Sequence, residues 1–132
     1  MPEKKREIII IDDDLEIIES VTFILSKRGI GVRGFPNGND AIEFIKKNEY
    51  RGVLLCDAQM PKIDGWDVVK RIAGEGLGQR LVVNMLTGVT DPPEKSESCA
   101  PYIFEYLTKP FENEELVRMI ESSFAVLEGD VA

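Results

Sequence analysis

The sequence contains no histidine. It can therefore carry no phosphohistidine, no histidine general base and no histidine zinc ligand. Any phosphoryl or acyl chemistry falls to carboxylates, hydroxyls, lysines or a metal. Cysteine is nearly as scarce. Cys56 and Cys99 are the only two, no metal-ligand spacing joins them, and they read as buried or incidental thiols of a reducing compartment. Long apolar runs are missing as well. The four isoleucines from Ile8 to Ile11, which follow a charged N-terminus, are too few for a signal-peptide core or a membrane span. A cytoplasmic protein with no membrane insertion is the expectation. The last absence is a surplus of positive charge. With 16 Lys+Arg against 24 Asp+Glu the formal net charge is −8, which leaves no basic stripe for nucleic acid. The balance suits a protein that holds divalent cations or meets basic protein surfaces.

What is present is an ordinary globular mixture, 43% hydrophobic and 30% charged, in 132 residues. That length favours one domain over 1–132, with a core from about 7 to 127, and no disulfide or metal is needed to staple it. No repeat, low-complexity tract or interdomain linker interrupts it, and no output domain is expected.

Two periodicities alternate along the chain. Ile8 to Ile11 is a continuous β-branched run, as in a strand buried on both faces. From Asp14 to Arg28 the spacing turns helical, with Ile17, Ile18, Val21, Ile24 and Leu25 on one stripe and Gly29 as a C-cap. Val32 to Phe35 reads as an edge strand. Asn39 or Asp40 can cap a second helix, with Ala41, Phe44 and Ile45 inward. Val53 to Cys56 is a buried strand ending at Asp57. Asp64 caps a third helix with Val68, Val69 and Ile72 inward, closed by Gly74 and Gly76. Strands follow at Leu81 to Leu86 and Phe104 to Leu107, and a last helix runs from Glu112 to Leu127. Between Thr87 and Tyr102, Pro92, Pro93 and Pro101 confine any helix to about two turns. Regular alternation of this kind implies an α/β fold, a parallel sheet covered on both faces by right-handed crossovers.

In such a sheet, ligands sit beyond the carboxyl ends of the strands, where the strand order reverses. The polar residues predicted there are Asp12, Asp13 and Asp14, then Asp57, Thr87 and Lys109. Singly, each has a structural explanation: an N-cap, a turn hydroxyl, a solvated loop lysine. Together they do not. Asp12, Asp13 and Asp57 in one crevice repel one another unless a cation sits among them. An all-oxygen acidic site suits Mg²⁺, with Mn²⁺ as the alternative. Lys109 adds a fixed positive charge and Thr87 a hydroxyl donor, which completes the set a phosphoryl transfer to a carboxylate requires.

The segments Ile10-Ile11-Asp12-Asp13-Asp14, Leu55-Cys56-Asp57-Ala58-Gln59-Met60-Pro61-Lys62-Ile63-Asp64-Gly65, Thr87-Gly88 and Tyr106-Leu107-Thr108-Lys109-Pro110-Phe111 resemble those of response-regulator receiver domains. The resemblance covers nearly the whole chain. It implies a flavodoxin-like (βα)5 doubly wound sheet of strand order 2-1-3-4-5. It also implies that Asp57 is the phosphoacceptor, and that Asp12, Asp13, Asp57 and the backbone carbonyl of Gln59 hold Mg²⁺. Lys109 would pair with the Asp57 carboxylate and then with the phosphoryl oxygens. Thr87 would swing to the phosphoryl group, with Tyr106 turning into the space it vacates. Gln59 and Val89 occupy the positions that tune phosphoryl lifetime in that family, and an apolar Val89 implies slow self-dephosphorylation. The donor would be a sensor histidine kinase or a histidine phosphotransfer protein, the target another protein, and the chain a monomer or weak dimer. No enzyme activity beyond self-catalysed phosphoryl acceptance and release is implied.

The region from Val89 to Tyr102 departs from that pattern, which predicts a short or irregular fourth helix. Three other readings compete. A haloacid-dehalogenase-like phosphatase needs an Asp two residues after its nucleophile, where this chain has Gln59. A flavodoxin-like cofactor binder needs a glycine- or hydroxyl-rich phosphate loop, where Asp12 to Asp14 repel phosphate. A non-phosphorylated receiver-like interaction module, or a receiver excised from a hybrid kinase or longer regulator, remains open at this level.

Overall fold

The computed structural model describes residues 6–88 and 92–129. Strands and helices alternate in the order β1 (Arg6–Ile11), α1 (Leu15–Ser26), β2 (Ile30–Phe35), α2 (Gly38–Lys47), β3 (Gly52–Asp57), α3 (Gly65–Gly74), β4 (Leu81–Thr87), α4 (Lys95–Cys99), β5 (Glu105–Thr108) and α5 (Asn113–Leu127). All four strand pairings are parallel, and the order across the sheet is β2-β1-β3-β4-β5. This is the expected doubly wound, flavodoxin-like arrangement. None of the described helices is long and apolar enough to cross a membrane.

The apolar runs are continuous because both faces of the sheet are covered. Successive side chains of a strand point to opposite faces. Ile9, Ile11, Leu54 and Cys56 therefore join Ala41, Ile45, Val69 and Ile72 of α2 and α3. Ile8, Ile10, Val53 and Leu55 join Val21, Leu25, Leu116 and Ile120 of α1 and α5. The chain leaves β1 toward β2 on one side and returns to β3 on the other, so the order reverses between β1 and β3. Their carboxyl ends frame the crevice.

Most element ends follow the sequence, and the exceptions have local causes. Asp14 caps α1, its side chain accepting from the Glu16 amide. That helix stops at Ser26 rather than Arg28, because the Arg28 and Gly29 amides bond back to Leu25 and Ser26 and tighten the last turn. Gly29 then takes a φ of 73°. The cap of α2 is Asn37, not Asn39 or Asp40. Its side chain accepts from the Asp40 amide and donates to the Asp40 carboxylate. The helix can begin this early because Gly38 lies against Val68, where a Cβ would collide. β2 begins at Ile30, paired with Arg6, rather than at Val32. β5 is shifted one residue, from Phe104–Leu107 to Glu105–Thr108.

The proline-rich quarter behaves as its composition requires. α4 is five residues long, and a 3₁₀ turn over Ala100–Tyr102 holds Pro101. Gly76, two residues past α3, has a φ of 72°, the left-handed conformation that ends helices.

Candidate functional site

Four strands bring side chains to the carboxyl end of the sheet. Asp12 and Asp13 leave β1, Asp57 is the last residue of β3, Thr87 ends β4, and Lys109 follows β5. Asp12 is fully buried and Asp57 nearly so, whereas Asp13 is exposed. One carboxylate oxygen from each of the three lies within 4.8 Å of the others. The Lys109 ammonium sits between the two buried acids, 3.5 Å from Asp12 Oδ2 and 3.4 Å from Asp57 Oδ1.

Backbone groups fix this arrangement. The Asp12 amide donates to the Phe35 carbonyl of β2, and Asp12 Oδ1 accepts from the Asp14 amide at 2.9 Å. Asp57 Oδ1 accepts from the Gln59 amide at 3.3 Å. The Lys109 amide donates to the Thr87 carbonyl at 2.7 Å, which joins the two strand ends. The Lys109–Pro110 peptide is cis. Gly65 closes the loop after β3 by donating to the Ala58 carbonyl, and any Cβ there would collide with the Asp57 carbonyl. Only glycine allows α3 to start this close to Asp57.

The electrostatics show what the site lacks in protein groups. Burial pushes the Asp12 carboxyl up to about 6; the neighbouring Asp57 charge adds to this, against the Asp14 amide and Lys109. One lysine does not offset the charge of three clustered carboxylates. The donor set is all oxygen, acidic and open on the Asp13 side, which fits a small hard divalent cation. The two cysteines are inert by comparison. Both are buried and free, and burial, with the Asp57 charge next, drives the Cys56 thiol far up.

Thr87, Gln59 and Gly88 line the rim of a cavity of about 910 Å³ that extends over Met60, Pro61 and Trp66 to Tyr106. Tyr106 faces outward, half exposed, its ring centroid 6.4 Å from that of Trp66. The structure thus brings together Asp12, Asp13, Asp57 and Lys109, sets Thr87 and Gln59 beside them, and leaves Tyr106 at the far wall. Val89 lies outside the described residues. Sequence reasoning missed two participants. Trp66, the only tryptophan, lines the cavity, and its place directly after Asp64-Gly65 was the available signal. Lys95 of α4 lies 2.7 Å from Asp64 and 3.1 Å from Asp67, and nothing in its local sequence announced that.

Comparison with known proteins places this geometry in a group. The response regulator receiver domain family matches residues 8–121. The transcriptional regulatory protein FixJ of Bradyrhizobium diazoefficiens is 30% identical over 119 residues, which are 90% of this chain and 57% of that protein. An uncharacterized 14.6 kDa protein in the sodA1 3′ region of Leptolyngbya boryana is 27% identical over 115 residues, 87% of each chain. Among solved structures, a CheY-like response regulator receiver domain protein from Methanospirillum hungatei JF-1 superposes with a TM-score of 0.88. It is 32% identical, with 96% of this chain and 99% of that one covered. The chain thus spans little more than half of FixJ but most of the Leptolyngbya protein.

Proposed function

Because the chain belongs to the response regulator receiver domain family, we propose that Asp57 accepts a phosphoryl group from a phosphohistidine on another molecule or domain. The observation that carries this reading is the placement of Lys109 between two buried carboxylates, with a third within reach. The donor is a sensor histidine kinase or a histidine phosphotransfer protein, since this chain has no histidine of its own.

In the transfer, an Asp57 carboxylate oxygen bonds to phosphorus as the phosphorus–nitrogen bond of the donor breaks. The imidazole leaves with the electron pair. Asp12, Asp13, Asp57 and the Gln59 carbonyl would hold Mg²⁺, with Mn²⁺ as a substitute; when bound, the ion neutralises charge on the phosphoryl oxygens. Lys109, already in contact with the Asp57 carboxylate, supplies the protein's own positive charge to those oxygens. The Gln59 amide orients the carboxylate.

Transfer replaces the single charge of the Asp57 carboxylate with a phosphoryl group of about −1.5 to −2, so charge and acceptor oxygens both increase at one point. Thr87 then donates its hydroxyl to a phosphoryl oxygen, and Tyr106 moves into the cavity it shares with Trp66. Both movements alter the surface between α4 and β5, where a protein target would read them. Val89 carries no hydrogen-bonding group to orient an attacking water, which favours slow loss of the phosphoryl group. The protein acts in the cytoplasm as a switch rather than a turnover enzyme, as a monomer or weak dimer.

Incubation with Mg²⁺ and acetyl phosphate, followed by intact-mass measurement, tests this reading. A phosphate-sized gain is expected in the native chain and complete loss of that gain in Asp57→Asn. No gain, together with no binding of beryllofluoride, would overturn the proposal in favour of a non-phosphorylated interaction module.

A further inference from the structure

The helix α4 is too short to stand by itself. It has five residues and no side-chain cap at its N-terminus, and isolated helices of this length are unstable in water. Its position must come from tertiary contacts. Two are specific. Cys99 is buried, with its sulfur 3.4 Å from the Trp66 carbonyl. Lys95 reaches across to the N-terminus of α3, with its Nζ 2.7 Å from Asp64 Oδ2 and 3.1 Å from Asp67 Oδ1.

The acceptors of that lysine are not ordinary surface carboxylates. Asp64 and Asp67 form the capping box of α3: Asp64 Oδ1 accepts from the Asp67 amide at 3.0 Å, and Asp67 Oδ2 accepts from the Asp64 amide at 3.1 Å. Each carboxylate therefore gives one oxygen to the backbone and the other to Lys95. Burial pushes the Asp67 carboxyl up, but the Asp64 amide and Lys95 outweigh it and hold the group below its ordinary value. Hydrogen bonds to Asp64 and Asp67 hold the Lys95 ammonium above its own.

This contact joins two parts of the switch. On one side, Asp64 precedes Gly65, which is packed against the Asp57 carbonyl. On the other, Ser96 follows Lys95 and, with Pro92 and Pro93, lines the cavity between Thr87 and Tyr106. The lysine thus holds the first turn of α4 as a wall of the space that Thr87 and Tyr106 must rearrange.

We infer that Lys95 restrains phosphoryl acceptance: it latches α4 to the capping box of α3 in the unphosphorylated arrangement. This rests on the reading of Asp57 as phosphoacceptor. A latch made only in one state shifts the equilibrium by its differential strength. Loosening it favours the arrangement that binds the phosphoryl group.

The test compares the native chain with Lys95→Met, Lys95→Arg and Asp67→Asn. Two quantities are measured: beryllofluoride affinity in Mg²⁺, followed by the fluorescence of Trp66, and amide hydrogen exchange of α4 without any phosphoryl mimic. Lys95→Met is expected to bind beryllofluoride about three- to tenfold more tightly and to exchange its α4 amides faster. Asp67→Asn keeps a cap oxygen but loses the charge, and moves both readouts the same way by less. Lys95→Arg restores native behaviour. A merely structural lysine predicts a lower melting temperature with unchanged or weaker beryllofluoride affinity in Lys95→Met, and that result overturns the latch alone. A native chain that binds no beryllofluoride overturns the latch and the phosphoacceptor reading together.

Discussion

Every residue of β3 is buried, whereas in β5 only Leu107 is. The same contrast runs through the helices beside them. α3 opens on a complete capping box and buries Trp66, Val68, Val69 and Ile72, while α4 has five residues, no side-chain cap and only Cys99 buried. The sheet around β1 and β3 is thus held by apolar contacts on both faces, and the β5 edge with α4 by a few polar ties and a thin covering. The three carboxylates sit on the first region, where Asp12, Asp13 and Asp57 leave β1 and β3, and Lys109 reaches them from the end of β5. The groups proposed to move, Thr87 and Tyr106, border the second. Catalytic geometry needs rigid support. Elements that change arrangement must come from the weakly held part of a fold.

Three substitutions sharpen or break that contrast. Leu54→Ala, in the fully buried β3, is expected to cost about 2–5 kcal/mol in denaturant unfolding, from lost transfer energy and the cavity left behind. A smaller cost would mean that the β1/β3 region is less tightly packed than its burial indicates. Gly65→Ala comes next, at about 1–3 kcal/mol, since the new Cβ meets the Asp57 carbonyl, Ala58 and Met85. It should also slow phosphoryl acceptance, measured by intact mass against time. Retained stability with reduced acceptance would show that the close approach serves the site rather than the fold. The smallest effect belongs to the far edge. Phe104→Ala, at a residue 39% exposed immediately before β5, should change unfolding free energy by less than about 1 kcal/mol. A loss as large as that of Leu54→Ala would abolish the distinction between the two regions.

Legibility in the sequence follows the same division. β1, β3 and the inner stripe of α1 could be read directly, because uninterrupted β-branched runs and 3.6-residue spacing leave few alternatives. Asp14 and Asp64 were readable as caps for the same reason: each stands immediately before an apolar period. The cap of α2 was not. Asn37, Asn39 and Asp40 are all competent, and the packing of Gly38 against Val68 selects Asn37. The buried Asn84 of β4 was also unreadable as a polar core group. Its side chain donates to Ser123 of α5 at 2.9 Å, 39 residues away, and no local pattern encodes such a pair. The Lys95 contact is of this kind too.

By itself the sequence determined the alternation of strands and helices, the brevity of α4 and the residue types at the strand ends. These are local matters, set by periodicity, by the fixed φ of proline and by the charge on a side chain. Only the tertiary structure decided that Asp12 is fully buried and Asp13 is not, that Lys109 lies between Asp12 and Asp57, that Tyr106 faces outward, and that Lys95 bridges Asp64 and Asp67. Burial and ion pairing depend on which distant elements the parallel crossovers bring together. A sequence specifies that outcome only through the packing of the whole sheet.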